Sequence, residues 1–194
     1  MERKAVITGI GVVAPNAISK EKFCDALKKG KNAIDKISFF DSTEFPSKVA
    51  GECREFHAED YIDKKDIHKM GRAAHMGIAA AMMAVEDSGI KMSWAEKNNC
   101  PVFIGSSVGG MDFAEPEFYK FFNKGIKAVS PFAGVAVFCA SISSEISRYL
   151  SLKGKSLTIS TGCASASDAI GYALNDIREG KKDIVITKNQ KNHV

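Results

Sequence analysis

Apolar residues along this chain follow two periods. Short β-branched runs stop at glycines, and longer segments repeat their apolar positions every three or four residues. Lys4-Ala-Val-Ile-Thr8, ended by Gly9 and Gly11, predicts a strand entering a glycine turn. Ser19 stands as a helix N-cap, with Phe23, Ala26 and Leu27 on one face and Gly30 as the stop. Val49 to Phe56 predicts a strand after the Pro46 turn. Ala73, Met76, Ala80, Met83, Ala84 and Ser88 recur at helical spacing and predict a helix over 71–88, closed by Gly89. Ser93-Trp-Ala-Glu96 has the spacing of a capping box. Further strands are predicted at 101–105, 156–160 and 183–187, with one helix over 134–150 and another starting at or just after Cys163. That last helix carries the stripe Ala166, Ala169, Ile170, Ala173, Leu174 and Ile177, with Gly180 at its end.

The strands are apolar on both faces. The fold class is therefore α/β, a mixed, mostly parallel sheet covered by helices on both faces, in one domain. The composition fits: 194 residues, 45% hydrophobic and 26% charged, the balance of a globular chain and not of a disordered or fibrous one. The longest nearly apolar runs, Ala73–Val85 and Pro131–Ile142, fall short of the about 20 residues that span a bilayer, so no membrane span is expected. The start, Met1-Glu-Arg-Lys4, does not read as a secretory signal. A net charge of +4 without an arginine stripe or aromatic-basic interleaving argues against a nucleic-acid partner. Cys24, Cys53, Cys100, Cys139 and Cys163 are odd in number and form no C-x-x-C pair, so neither a disulfide framework nor a metal site is expected, and a cytoplasmic location fits. Four of the five read as small buried hydrophobes.

Cys163 is the fifth. A strand stops at Ser160, a turn passes through Gly162, and a helix follows. A thiol there faces free backbone N–H groups and the positive end of the helix dipole, both of which favour the thiolate over a thiol of pKa about 8.5. Gly162, Ala164 and Ser165 leave room for a substrate, and the backbone N–H of Cys163 is placed to donate to an oxyanion. The arrangement is that of a nucleophile elbow with cysteine in place of serine. The alternative, that Cys163 fills space between helix and sheet, stays open on spacing alone.

Val6-Ile-Thr-Gly-Ile-Gly-Val-Val-Ala-Pro15, Phe40-Asp-Ser-Thr43, Ile104-Gly-Ser-Ser-Val-Gly-Gly110, Ser130-Pro-Phe132 and Ser160-Thr-Gly-Cys-Ala-Ser-Ala-Ser-Asp-Ala-Ile-Gly171 come in an order that resembles the β-ketoacyl-acyl-carrier-protein synthases of fatty-acid and polyketide synthesis. The Thr-Gly-Cys block is most similar to the ketosynthase-α subunits of type II polyketide systems, and the remainder to the elongating synthase II. The resemblance implies the N-terminal half of a thiolase-like fold over residues 1–187, followed by a divergent polar tail, 188–194. It implies that Cys163 accepts an acyl chain as a thioester from acyl carrier protein, with Val108 and Met111 near the acyl pocket. It also implies that Lys64, Lys65, Lys69 and Lys127 form a basic surface for that acidic carrier. No cofactor is implied beyond the phosphopantetheine thioester that the carrier brings.

The family's two catalytic histidines and a lysine belong to its second half. The chain's own histidines, His57, His68, His75 and His193, match none of its histidine motifs. After Thr187 the family pattern Gly-Gly-Ala-Glu is replaced by Lys188-Asn-Gln-Lys191. The expectation is a truncated synthase-like protein that loads Cys163 but does not condense alone, paired with itself or with a full-length synthase. The alternatives are a non-catalytic partner of the carrier protein or of a synthase, and a cysteine hydrolase with His75 as base. A sheet cut after its fourth strand is expected to leave an open edge and an uncovered apolar face.

Overall fold

A computed structural model describes residues 3–190. Two short antiparallel pairs come first in sequence: β1 (Val13–Ala14) with β2 (Ala17–Ile18), and β3 (Asp35–Lys36) with β4 (Val49–Ala50). Helix α1 (Lys20–Lys28) lies between them in sequence, and α2 (Lys64–Ile67), α3 (Arg72–Ser88) and α4 (Trp94–Asn99) follow. Then come β5 (Val102–Ser106), α5 (Met111–Lys124), α6 (Ala133–Ala136), α7 (Ser141–Tyr149), β6 (Ser156–Ile159), α8 (Ser165–Arg178) and β7 (Ile186–Gln190).

The main sheet has the order β6-β5-β7, all parallel, with Ile104 opposite Thr158 on one side and Lys188 on the other. Successive side chains on a strand point to opposite faces. Phe103 therefore meets Ala169 and Ala173 of α8, while Val102 and Ile104 pack with Ala74 and Ile78 of α3 and Ile142 and Ile146 of α7. Ile78, Ile104, Ile142 and Ile146 are buried to within 1% of complete exclusion from water, each stabilising by about 1.5–3 kcal/mol. All five residues of β5 are buried, as a central parallel strand requires. The structure thus has helices on both faces of a parallel sheet, as the pattern predicts.

Local signals hold in several places. Ser93 Oγ accepts from the Glu96 N–H at 3.3 Å, and Glu96 accepts from the Ser93 N–H at 2.6 Å, completing the capping box. Gly89 closes α3 at φ +64°, a left-handed conformation that glycine adopts without steric cost.

Four expectations are corrected. Residues 4–8 form no strand: Val6 and Ile7 are 75% and 83% exposed. A strand needs a hydrogen-bonded neighbour, and among the described strands β7 pairs with β5 alone. The segment is held instead where Gly9 and Gly11 lie on α3. A Cβ at Gly11 would stand 1.9 Å from the Ala80 carbonyl oxygen. The strand expected over 49–56 shrinks to Val49–Ala50, because only Asp35–Lys36 pairs with it. The helix expected over 134–150 divides into α6 and α7, with Gly110, just before α5, packed on the carbonyl of Ala136. The last strand begins at Ile186, not Asp183, and runs through Gln190; residues 191–194 of the expected tail lie outside the described residues.

The segment between β3 and α2 is pinned by one buried carboxylate. Glu52 accepts from the Ser38 N–H at 2.9 Å, the Ser38 hydroxyl at 2.7 Å, the Phe39 N–H at 3.0 Å and Arg54 Nε at 2.8 Å. Burial alone would raise its pKa, but these bonds outweigh it and hold the group at about 2 against an ordinary 4.5. A depressed carboxyl pKa stabilises the fold above the unfolded value, and that stabilisation is lost as pH falls from 4.5 towards 2. Glu52→Gln is expected to cost about 2 kcal/mol at pH 7 in urea unfolding, a difference that shrinks on acidification through this window.

Candidate active site at the strand-to-helix turn

The C-terminal ends of β5 and β6 carry two neighbouring turns. After β6 the chain enters a single 3₁₀ turn, Gly162–Ala164, with Gly162 at φ +62°, and α8 starts at Ser165. Ser165 Oγ donates to the Gly162 carbonyl at 2.6 Å and accepts from the Thr161 N–H at 2.9 Å, so one buried hydroxyl locks both sides of the turn. Thr161 adds a hydroxyl bond to Asp168 in the first turn of α8. Cys163 sits on the crest of this turn, exposed, just ahead of the helix.

What brings α8 so near the sheet is Gly105. A Cβ at that position would lie 2.3 Å from the Ser165 carbonyl oxygen, inside any permitted contact. The second turn follows directly. Ser106 Oγ, fully buried, accepts from the Gly109 N–H at 3.2 Å, and Ser160 Oγ donates to the Ser107 carbonyl at 3.4 Å. That last bond ties the loop of Val108 to the turn of Cys163. Gly109 at φ +65° rests on Cys139, where an added Cβ would stand 2.4 Å from the Cys139 Cβ, and Gly110 rests on α6. Val108 and Met111 are about half exposed, at 51% and 50%. The sequence pattern marks Ser165 only as a small neighbour of Cys163 and does not show its clamping role, nor the packing roles of Gly105, Gly109 and Gly110. Their signal was the run of small residues in both motifs, which does not say which of them touches what.

The cysteines divide differently from the sequence expectation. Cys53 and Cys100 are buried, but Cys24 is exposed and Cys139 half-buried. Burial pushes the Cys100 thiol up to about 11 and raises Cys53 as well, so neither is a nucleophile in the folded chain.

The lysines are only partly gathered. Lys64 and Lys65 are exposed on α2, with Lys65 3.6 Å from Asp63, and Lys127 is exposed in the turn after α5. Lys69 is different: it lies beyond the four-residue α2, 2.6 Å from the buried Asp66 and 5.9 Å from the ring of Phe132. A single helical face carrying all of them does not form, because α2 ends before Lys69.

His75 packs within the fold. Its Nε2–H donates to the Ile67 carbonyl at 3.0 Å, and burial lowers its pKa. It lies on α3, across the sheet from α8, so the structure gives no support to His75 as a base for Cys163. His193 lies outside the described residues.

The exposed Cys163 thus stands on a locked turn at the C-terminal edge of a parallel sheet, beside a glycine-rich loop. The family model for the β-ketoacyl synthase N-terminal domain matches residues 2–187, and the chain belongs to that family. It is 34% identical over 185 residues to 3-oxoacyl-acyl-carrier-protein synthase 2 of Vibrio cholerae, covering 95% of this chain and 45% of that protein. The Staphylococcus aureus synthase of the same name is 32% identical with the same coverage. The chain thus spans about half the length of these relatives. Among solved structures, the ishigamide ketosynthase/chain length factor superposes with a TM-score of 0.88 at 27% identity, covering 95% of this chain and 46% of that one. A β-ketoacyl synthase from Burkholderia phymatum gives 0.79 at 27% identity, with the same coverages. A third, a type II polyketide acyl-carrier protein in complex with its ketosynthase, gives 0.78 at 23% identity, covering 99% and 52%, a likeness of fold. The architecture is therefore the N-terminal half of a thiolase-like ketosynthase fold. No helix among the described residues is long and apolar enough to cross a membrane.

The burial pattern sets an order of thiol reactivity. A maleimide at pH 8 is expected to label Cys163 and Cys24 first, and Cys53 and Cys100 only on unfolding, as read by peptide mass spectrometry. Labelling of Cys100 in the native protein would contradict the packing.

Proposed function

We propose that this chain is the acyl-accepting half of a β-ketoacyl synthase, with Cys163 as its nucleophile. The observation that carries the reading is the exposed Cys163 thiol on the locked turn between β6 and α8. The thiolate attacks the carbonyl carbon of an acyl thioester on acyl carrier protein. A new C–S bond forms at Cys163, the bond to the carrier's phosphopantetheine sulfur breaks, and that sulfur leaves with the proton Cys163 gave up. The backbone N–H of Cys163 is the donor for the oxyanion of the tetrahedral intermediate. Val108 and Met111 line the start of the acyl pocket. Lys64, Lys65 and Lys127, with Lys69 behind them, form the docking surface for the acidic carrier. The solved likeness of a ketosynthase holding its carrier protein supports this choice of partner. No cofactor takes part, and the free cysteines suit a cytoplasmic setting.

In this reading residues 1–187 form the synthase half, and the divergent sequence that follows begins inside β7, which runs through Gln190. Condensation in the family uses two histidines and a lysine of the second half, and in this reading the chain pairs with itself or with a full-length synthase. The second reading, a non-catalytic partner, draws on the exposed Val6, Ile7, Ile170 and Tyr172, apolar groups suited to burial against another protein.

Incubation with acyl-carrier thioesters and intact-mass measurement separates the two. Acyl transfer predicts an adduct of the acyl mass that disappears in Cys163→Ala, while the second reading predicts a complex without an adduct. An adduct that survives Cys163→Ala would place the nucleophile elsewhere.

A further inference from the structure

Cys163 stands in sequence between two residues that are bonded to each other. Thr161, before it, donates its hydroxyl to Asp168 in the first turn of α8. The same threonine donates its backbone N–H to Ser165 Oγ at 2.9 Å. Both donors of Thr161 are therefore spent on α8, one on a buried hydroxyl and one on a partly exposed carboxylate. Thr161 itself has neither strand nor helix conformation, at φ −121° and ψ 39°, and Gly162 follows at φ +62°. A backbone of this kind keeps one shape when bonds from its surroundings fix it.

The two bonds restrain different things. Ser165 holds backbone groups on either side of the Thr161–Gly162 step, and so sets the path of the turn. The bond between Thr161 and Asp168 joins two side chains that reach solvent, as Cys163 does. Its acceptor is charged, and a hydrogen bond to a carboxylate is about twice as strong as one between neutral groups. The carboxylate is held in its own right, because the first turn of a helix favours an anion. Threonine is stiff at χ1, so a bond to its hydroxyl also restrains its backbone. The chain leaving β6 is thus tied twice to the start of α8, and Cys163 lies between the ties.

We propose that Thr161 and Asp168 are positioning residues for Cys163, their bond aiming the thiol along its line of attack on a thioester carbonyl. This rests on the reading of Cys163 as acyl acceptor. Neither residue touches the substrate; each acts through the turn. The demand is geometric, since attack needs the sulfur and the carbonyl carbon about 3–3.5 Å apart and aligned.

The test compares two rates on Cys163 of the full chain, both read on its peptide by mass spectrometry. Acyl transfer from the hexanoyl thioester of N-acetylcysteamine needs a directed approach. The new C–S bond forms at Cys163, the bond to the N-acetylcysteamine sulfur breaks, and that sulfur leaves with the proton. Alkylation by iodoacetamide accepts the thiol in many orientations. Thr161→Val and Asp168→Ala are each expected to lower the ratio of acyl transfer to alkylation about tenfold. The double variant is expected to lower it no further, because the same bond is lost in all three. Thr161→Ser and Asp168→Asn, which keep donor and acceptor, are expected to restore most of the ratio. Circular dichroism checks the fold of each variant, and if Asp168→Ala does not fold, the exposed Thr161 decides through Thr161→Val. An unchanged ratio in the folded variants overturns the proposal. A bond that only stabilises the fold leaves both rates alone, and one that acts only on thiol ionisation moves them together. Absence of any acyl transfer to wild-type Cys163 overturns the acyl-accepting reading itself, a result distinct from transfer that ignores the Thr161–Asp168 bond.

Discussion

The placing of the Cys163 turn depends on a missing side chain at position 105. β5 is the middle strand, buried along its length, and α8 lies against it closely enough that the Ser165 carbonyl occupies the place a Cβ would take. That approach sets where α8 begins, and hence where the turn before it must lie. Ser165 then clamps the turn from inside, and Ser160 joins it to the neighbouring glycine-rich loop. Cys163 is held at the surface by a scaffold of backbone contacts and small hydroxyls. Side chains on loops are positioned by the regular elements beneath them, here the buried strand β5 and the start of α8.

The opposite face of the sheet performs a different task. Its large apolar side chains, Ile78, Ile104, Ile142 and Ile146, make the core, and His75 is absorbed into that layer through its bond to Ile67. Helix α8, which follows the Cys163 turn, and the large apolar core thus lie on opposite faces of the sheet, joined through β5.

The helices and the parallel sheet were legible because burial on both faces leaves apolar runs, and caps such as Ser93 and Gly89 act within a few residues. The turn that carries Cys163 was legible for the same local reason: strand, glycine and helix are adjacent in sequence. What failed depended on distant partners. Residues 4–8 have the composition of a strand, yet a strand exists only beside another, and no described strand pairs with them. Lys69 has the spacing of a surface charge, but Asp66, buried beneath it, takes its ammonium. The setting of Arg72 was not legible either, since Phe39, Phe56 and the Cys53 carbonyl come to it from elsewhere in the chain.

The most direct test of how the thiol is positioned is the single-turnover rate of acyl transfer to Cys163 in Gly105→Ala, with circular dichroism confirming that the fold persists. Pushing α8 off β5 displaces the turn, and a fall of about tenfold or more in transfer rate is expected, since misplacement by about 1 Å commonly has effects of that size. A folded Gly105→Ala protein that transfers at the wild-type rate would contradict the dependence of the site on this contact.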